Sequence, residues 1–284
     1  MGLSAIAAVP TSMLVLSLKT GRPFLTELFH HRSMLIKYII VMFIVLPALA
    51  LAFYFIDTAH YRIWLAVLII SISPPTLGMT KDIAKLGGNT NISTAWLITA
   101  ILLSFVIIPL NLFIIQKILG VNVDLGIDDV TFKLFIMFVF PMIIGFLISN
   151  YFPRIKPSII KIFDIISKIA SVILIVCLLI IALPVIVQKG LIDLFLIFAF
   201  IVIALLISYI VESTEKNNFG PILSNSVIYR LPAPAIIIAS INGKTKEFAP
   251  EILSYLIISI IVIKIFNKVI YSKKKLDSSP PKKS

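Results

Sequence analysis

Long apolar stretches separated by short polar segments dominate this chain. A membrane-spanning helix needs about 20 mostly apolar residues, and nine stretches come near or exceed that length. They cover residues 2–18, 33–56, 61–86, 91–116, 130–151, 158–187, 190–211, 219–242 and 249–271. The pattern predicts an all-α membrane protein with about nine transmembrane helices. We expect residues 2–18 to be a first span and not a cleaved signal.

Two of these stretches carry a proline cluster in their middle. Residues 71–76 read SISPPT in the third stretch, and residues 229–234 read YRLPAP in the eighth. Proline lacks a backbone N–H and clashes with the preceding turn, so it interrupts a helix. Because lipid cannot hydrogen-bond the freed carbonyls, such a break must face protein or water. The pattern therefore predicts two broken helices inside the protein.

The two broken helices occupy corresponding places in the two halves of the chain. Each is followed by a glycine turn, at residues 87–89 or 242–243, and then by a further apolar stretch. Counting spans, they cross the membrane in opposite directions, which is the arrangement of an inverted repeat. We assign the first repeat to about residues 33–116 and the second to about 190–271, within one transmembrane transporter domain of residues 1–271.

Composition and charge support a membrane location and indicate an orientation. The chain is 60% hydrophobic and 13% charged, which is unlike a soluble domain. With the N-terminus outside and the C-terminus cytoplasmic, Lys and Arg in the inner loops outnumber those in the outer loops, as the positive-inside rule requires. The net charge of +12 is therefore interpreted as a topology signal in the plasma membrane, and residues 272–284 as a basic cytoplasmic tail.

Polar residues and prolines around the two breaks are the candidate substrate-binding residues. Half-helix N-termini attract anions and C-termini attract cations. The candidates are Ser73, Pro74, Pro75, Thr76, Thr80, Arg230, Pro232, Pro234 and Ser240. Arg230 stands out because an arginine inside a span costs at least ~2.5 kcal/mol to insert and marks a functional site by default. The alternatives are that Arg230 snorkels or holds two helices together, and that the hydroxyls bond back to their own helices.

A second group of polar residues follows the breaks. Lys81, Asp82, Asn89 and Asn242 are candidates for gating or proton coupling. Lys81 and Asp82 are adjacent near a helix end, where an interfacial pair is the alternative. Asn89 and Asn242 lie in the glycine turns, so a turn role comes first for both.

Catalytic and cofactor motifs do not occur in the sequence. The three histidines, His30, His31 and His60, lack metal-ligand spacing, and there is no phosphate-binding glycine loop or nucleophile elbow. We therefore predict that the protein is not an enzyme and needs no cofactor or metal. The single cysteine, Cys177, has no partner for an internal disulfide and is interpreted as a small core residue.

Two segments resemble the bile acid:sodium symporter family, most closely its prokaryotic branch. Residues 73–89 run from SPP to KLGGN, and residues 230–239, RLPAPAIIIA, are similar to an R-x-P-A-x-A signature of that branch. The resemblance covers nearly the whole chain. It implies a core domain around two crossing broken helices, a smaller panel domain, and secondary transport of an organic anion by alternating access. Spans three and eight would be the broken helices, and spans one, five and six the panel.

The chain departs from this family at the expected sodium ligands. Characterised members have a polar cluster after the first break and a Glu- or Gln-bearing stretch at the second. This chain has Gly78-Met79-Thr80 and RLPAP there. The coupling ion, sodium or proton, therefore stays open, and Arg230 is a candidate for a fixed charge in place of a cation.

Partners and rival functions follow from the same reasoning. We expect a small organic anion and the lipid bilayer as partners and no nucleic acid, while a homo-oligomer stays open. The main alternative function is a non-transporting sensor or assembly subunit on a transporter scaffold. A membrane-embedded enzyme and a passive channel are further alternatives.

Overall fold

The computed structural model describes residues 2–19, 31–119, 126–187, 190–215 and 219–271. Within these ranges the chain is helical and forms no strand, so the all-α prediction is confirmed. The helices are α1 (Gly2–Lys19), α2 (Arg32–Ile56), α3 (Tyr61–Ser71), α4 (Gly78–Lys85), α5 (Thr90–Leu119), α6 (Ile127–Tyr151), α7 (Lys156–Val187), α8 (Leu191–Ser213), α9 (Ile222–Ile228), α10 (Pro232–Ile241) and α11 (Thr245–Tyr271). The predicted basic tail lies outside the described residues.

Five of the described helices are long and apolar enough to cross a membrane, namely α2, α5, α6, α8 and α11. Two pairs of shorter helices, α3 with α4 and α9 with α10, take the places of the predicted third and eighth spans. The proline clusters therefore break both helices as predicted. The count of nine spans stays a prediction.

Large apolar side chains are exposed around the helical bundle. Ile44, Val106, Phe132, Ile180 and Ile210 come from five different helices and are 60–69% exposed. Exposed apolar surface of this extent would favour association in water, whereas in a bilayer it contacts acyl chains. These features are those of a multi-pass membrane protein.

Helices α2 and α6 each contain a π-helical segment close to a proline. The segments Val41–Val45 and Phe135–Val139 lie just before Pro47 and Pro141. Proline cannot donate to the carbonyl four residues earlier and its ring crowds that carbonyl, so the turn before it widens. A single proline is accommodated in this way without ending the helix, in contrast to the two proline clusters.

A loop carboxylate holds the start of α3. Asp57 accepts a hydrogen bond from Trp64 Nε1 at 3.0 Å, and its carboxylate lies 3.0 Å from His60 Nδ1. The hydrogen bond with His60, and to a smaller extent that with Trp64, holds the pKa of Asp57 below its usual value. The contacts tie the loop before α3 to its first turns and so fix where the first broken helix begins.

Helix α1 packs on both α6 and α7, and we call these three helices the panel group. The hydroxyl oxygens of Ser12 on α1 and Ser167 on α7 lie 2.6 Å apart. A Cβ added to Gly145 on α6 would lie 1.9 Å from Ser17 Oγ on α1, so glycine is required for this close approach. These helices correspond to the spans assigned to the panel, and their movement as one body stays a prediction.

The two broken helices run in opposite directions past each other. Helix α3 packs on α10, and α4 packs on α9, so the beginning of each broken helix lies beside the end of the other. At the α4/α9 end, the Asn89 N–H donates to the Phe219 carbonyl at 2.9 Å. A Cβ added to Gly88 would lie 2.9 Å from the same carbonyl oxygen. Glycine therefore lets the turn after α4 touch the start of α9.

Candidate substrate site at the crossing of the broken helices

The unwound residues of the two broken helices pair directly with each other, and we call residues 72–77 and 229–231 the crossing. The Thr76 N–H donates to the Tyr229 carbonyl at 2.9 Å, and the Leu231 N–H donates to the Pro74 carbonyl at 2.8 Å. Pro75 and Arg230 therefore face each other as an isolated antiparallel bridge. Backbone groups that have left their helices find partners on the opposite chain, which satisfies them away from water.

Prolines determine where the helices break and restart. Pro74 and Pro75 follow the end of α3 at Ser71, and they cannot donate the N–H groups that would extend it. Pro232 opens α10, where a missing N–H costs least. Leu231 has the extended backbone that a residue before proline prefers. Pro234 lies buried in the first turn of α10.

The side chain of Arg230 joins both broken helices. Its Nε donates to the Val227 carbonyl of α9 at 2.9 Å, and its Nη1 donates to the Ser73 carbonyl after α3 at 2.7 Å. Arg230 is only 1% exposed, so it does not snorkel. Its Nη2 forms no hydrogen bond within the part of the chain that the structure describes, and the buried Tyr255 hydroxyl lies beside the guanidinium. Arg230 therefore joins the two broken helices, which was one of the alternatives considered for it. Its Nη2 group remains as a buried hydrogen-bond donor.

The charges at the crossing leave a net positive value. Four half-helix ends meet there, two C-terminal ends with about −0.5 charge each and two N-terminal ends with about +0.5 each. These partial charges cancel in pairs, and the nearby carboxylate of Asp82 is paired with Lys85, so the guanidinium of Arg230 remains as about one positive charge. Among the described residues, no carboxylate forms an ion pair with it. A buried positive centre of this kind favours an anion nearby.

A second side-chain contact links the broken helices through Asp82. The Tyr229 hydroxyl donates to the carboxylate of Asp82 on α4. Asp82 also pairs with Lys85 at 3.0 Å, and its side chain is 19% exposed. The contact with Tyr229 places Asp82 beside the crossing, whereas Lys81 next to it is exposed.

The serine and threonine hydroxyls among the predicted binding residues differ in position. Ser73 Oγ bonds back to the Ile69 carbonyl at 3.3 Å, and Thr80 Oγ1 bonds to the Leu77 carbonyl at 3.0 Å. These two hydroxyls therefore bond back to carbonyls of their own segments, which was the alternative considered for them. Thr76 lies in the crossing itself. The structure does not bring Ser240 there, because it is exposed one residue before the end of α10.

Asn89 and Asn242 act as turn residues in this structure. The Asn89 side chain accepts from the N–H groups of Asn91 and Ile92 at 3.0 and 3.1 Å, which caps α5. The Asn242 side chain donates to the Ile238 carbonyl at 2.8 Å at the end of α10. The turn role expected first for both is present.

Three groups of residues that support the site were not among the predicted site residues. Glu212 at the end of α8 accepts from the Leu223 N–H at 2.7 Å and the Ser224 hydroxyl at 2.6 Å, which anchors the start of α9. Trp96 Nε1 on α5 donates to Ser226 Oγ on α9 at 2.8 Å.

The third group is an amide pair, in which Asn267 Nδ2 on α11 donates to Asn225 Oδ1 on α9 at 3.0 Å. Each group contains a polar residue inside or at the end of an apolar run, and this signal could have drawn attention to them.

The fold and the crossing are those of a membrane transporter built from broken helices. The model of the sodium bile acid symporter family matches residues 11–189, more than half of the chain. The chain belongs to the sodium bile acid symporter family, which confirms the resemblance noted above. The match includes the first break and ends before Arg230 and the second break. No curated protein matches the chain.

Proposed function

We propose that this chain is a secondary active transporter that moves a small organic anion across the plasma membrane by alternating access. Membership of the family supports the transporter class. The single observation that supports an anionic substrate is the buried Arg230 guanidinium at the crossing. It lacks a carboxylate partner among the described residues, and its Nη2 forms no hydrogen bond with them.

The substrate would lie beside the crossing, where Arg230 and Thr76 provide polar groups. A carboxylate, sulfonate or similar anion would offset the net positive charge and accept from Nη2 once local rearrangement exposes that donor. In the empty site the charged guanidinium is desolvated without an anion beside it, which is unfavourable. Binding of the anion therefore offsets part of the desolvation free energy that burial of the guanidinium cost during folding.

Alternating access requires two bodies that move against each other. The panel group of α1, α6 and α7 has close internal contacts, such as Ser12 with Ser167 and Gly145 with Ser17. The broken helices are held to each other by backbone pairing at the crossing and by Arg230. We propose that the panel group moves as one body against the helices of the crossing and exposes the substrate to each side in turn.

A ligand screen is the first test of this proposal. Purified protein is heated in the presence of taurocholate, benzoate, pyruvate or succinate, each in sodium chloride and in choline chloride. A ligand that binds the folded state raises the melting temperature by mass action. Stabilisation by at least one anion, and by none of its uncharged analogues, is expected. Equal effects of the charged and uncharged compounds would contradict an anion site.

A transport measurement then separates a transporter from a sensor. The anion found in the screen is loaded into sealed proteoliposomes, and exchange with the outside is followed. Saturable exchange is expected for wild type, with loss of at least ~10-fold for Arg230→Gln, since removing an interaction of about 1.4 kcal/mol already gives that factor. Arg62→Gln is the control, because Arg62 is an exposed arginine in the first turn of α3, on the other broken helix and away from the crossing. Binding without any exchange would favour the sensor or assembly subunit.

A further inference from the structure

We infer that Arg230 is a built-in cation. Its guanidinium occupies the place at the crossing where the C-terminal ends of two half-helices would otherwise attract a metal cation. Transport therefore does not need sodium at this place. The inference rests on the proposed transport function and adds the identity of the cation at its site. It concerns residues beyond the part of the chain that the family model matches.

The carbonyls that Arg230 binds are those that a helix end leaves without partners. The last carbonyls of an α-helix have no N–H within the helix to accept from. The Val227 carbonyl belongs to the last turn of α9, and the Ser73 carbonyl follows the end of α3. The N–H of Leu231, which would bond to Val227 in a continuous helix, donates to Pro74 instead. Arg230 therefore satisfies oxygens exposed by the breaks themselves.

The charge of the guanidinium matches that of these two ends. Each half-helix C-terminus carries about −0.5 elementary charge, so the pair amounts to about −1, and the two N-terminal ends at about +0.5 each then account for the net positive charge of the crossing. One guanidinium supplies one positive charge, and it does so with N–H donors at 2.9 and 2.7 Å from the two carbonyl oxygens. A monovalent metal ion bound to both ends would supply the same charge. The guanidinium of Arg230 and a diffusible metal ion are therefore alternative occupants of the same position between the two half-helix ends.

The carboxylate beside the crossing already has other partners, since Asp82 pairs with Lys85 and accepts from the Tyr229 hydroxyl. Hard cations such as Ca²⁺ and Mg²⁺ take six or more oxygen ligands, often including carboxylates. No group of three or more His, Cys, Asp and Glu side chains gathers anywhere in the described residues. The hydroxyls of Ser73 and Thr80 are bonded to carbonyls of their own segments. With Arg230 fully buried between the two ends, the site is already filled.

Removal of the guanidinium would open this position to a free cation. Arg230→Ala leaves the Ser73 carbonyl without its Arg230 donor and the Val227 carbonyl with only the longer 3.4 Å hydrogen bond from the Tyr255 hydroxyl, which destabilises the protein. A cation added from solution can then take the vacated place. Guanidinium ion has the same planar donors as the lost side chain, and sodium has the same charge. Both are therefore probes of the vacancy.

The experiment compares melting temperatures of the purified full-length protein in sodium, potassium, choline and low guanidinium chloride at constant ionic strength. The wild type should melt at the same temperature in sodium and in choline. Arg230→Ala should melt lower, and a cation at ten times its dissociation constant should raise its melting temperature by about 3–5 °C. Arg230→Lys keeps the charge and should not respond to sodium. Arg62→Ala is the matched control and should behave as wild type.

Two results would overturn the inference. One is a saturable, sodium-specific rise in the melting temperature of the wild type. The other is an Arg230→Ala protein that sodium and guanidinium leave unchanged. If Arg230→Ala does not fold, the responses of the wild type and Arg230→Lys to sodium still decide the question.

Transport separates this inference from the proposed function. Anion exchange by the wild type that proceeds equally in sodium and in choline supports both. Exchange that requires sodium refutes the built-in cation and leaves anion transport standing. A protein that exchanges no anion but shows the expected cation responses refutes the transport function alone.

Discussion

Glu212 provides the most direct test of how the second broken helix is held in place. Its carboxylate, 9% exposed, accepts from the Leu223 N–H at 2.7 Å and from the Ser224 hydroxyl at 2.6 Å. The Tyr38 and Tyr271 hydroxyls make longer contacts of 3.4 Å with it. Glu212 thus joins α8 to the first turn of α9, the half-helix that leads to Arg230. We predict that Glu212→Ala loosens this half-helix.

The magnitude follows from the two short hydrogen bonds. A buried donor left without an acceptor costs about 1–3 kcal/mol, and the mutation leaves two such donors, so we expect a loss of about 3–5 kcal/mol in the free energy of unfolding. At roughly 2–4 °C per kcal/mol for a chain of this size, the melting temperature should fall by about 10 °C. Glu212→Gln keeps one acceptor oxygen for the Leu223 N–H and should lose about half as much.

The assay follows thermal unfolding in detergent by tryptophan fluorescence. Trp96 donates to Ser226 on α9, so in a Trp64→Phe background the remaining tryptophan reports on this half-helix. Glu215→Ala is the control, because Glu215 lies three residues further along and pairs with the partly exposed Lys37 at 2.7 Å. Such a pair contributes about 0–1 kcal/mol. A Glu212→Ala protein that melts within ~2 °C of Glu215→Ala would refute the anchoring role.

Three further predictions concern contacts around the core. Trp96→Phe removes the 2.8 Å hydrogen bond to Ser226 and should cost about 1 kcal/mol; Ser226→Ala should cost a similar amount and add little to it in the double variant, as measured by thermal unfolding. Gly145→Ala would place a Cβ 1.9 Å from Ser17 Oγ and should destabilise the panel group by about 1–3 kcal/mol; an unchanged melting temperature would show that α1 and α6 can separate freely. Because the pKa of Asp57 is lower in the folded protein than its usual value, its stabilising contribution is complete above the unfolded pKa of about 3.9 and is lost as the pH falls through the folded value; Asp57→Asn should remove that part of the acid dependence of the melting temperature.

Local backbone chemistry is the part of this structure that the sequence predicted well. The two proline clusters mark both breaks, and α10 begins at Pro232. The turn role of Asn89 is equally local, since its side chain bonds to N–H groups two and three residues away. The π-helical segments before Pro47 and Pro141 were not predicted, although their cause is local too, because a single proline can be absorbed in more than one way.

Contacts between distant residues could not be predicted in the same way. Asp82 was noticed as a polar residue, but its contact with Tyr229 across the two broken helices depends on how α4 and α9 pack. Ser240 was grouped with the crossing because it is close to Arg230 in the chain, yet the helix carries it away from that point to an exposed position. Glu212 was overlooked because its partners, Leu223 and Ser224, lie beyond a loop.

The sequence by itself determined that the chain is an all-helical membrane protein with two interrupted helices, because apolar length and proline act through the backbone of each segment alone. It also identified Arg230 as a charged residue whose burial in a span is unfavourable unless it has binding partners. Only the tertiary structure decided what that charge binds. The guanidinium contacts the Ser73 carbonyl, far away in the chain, because two helices that end in the interior must find partners for their last carbonyls in each other.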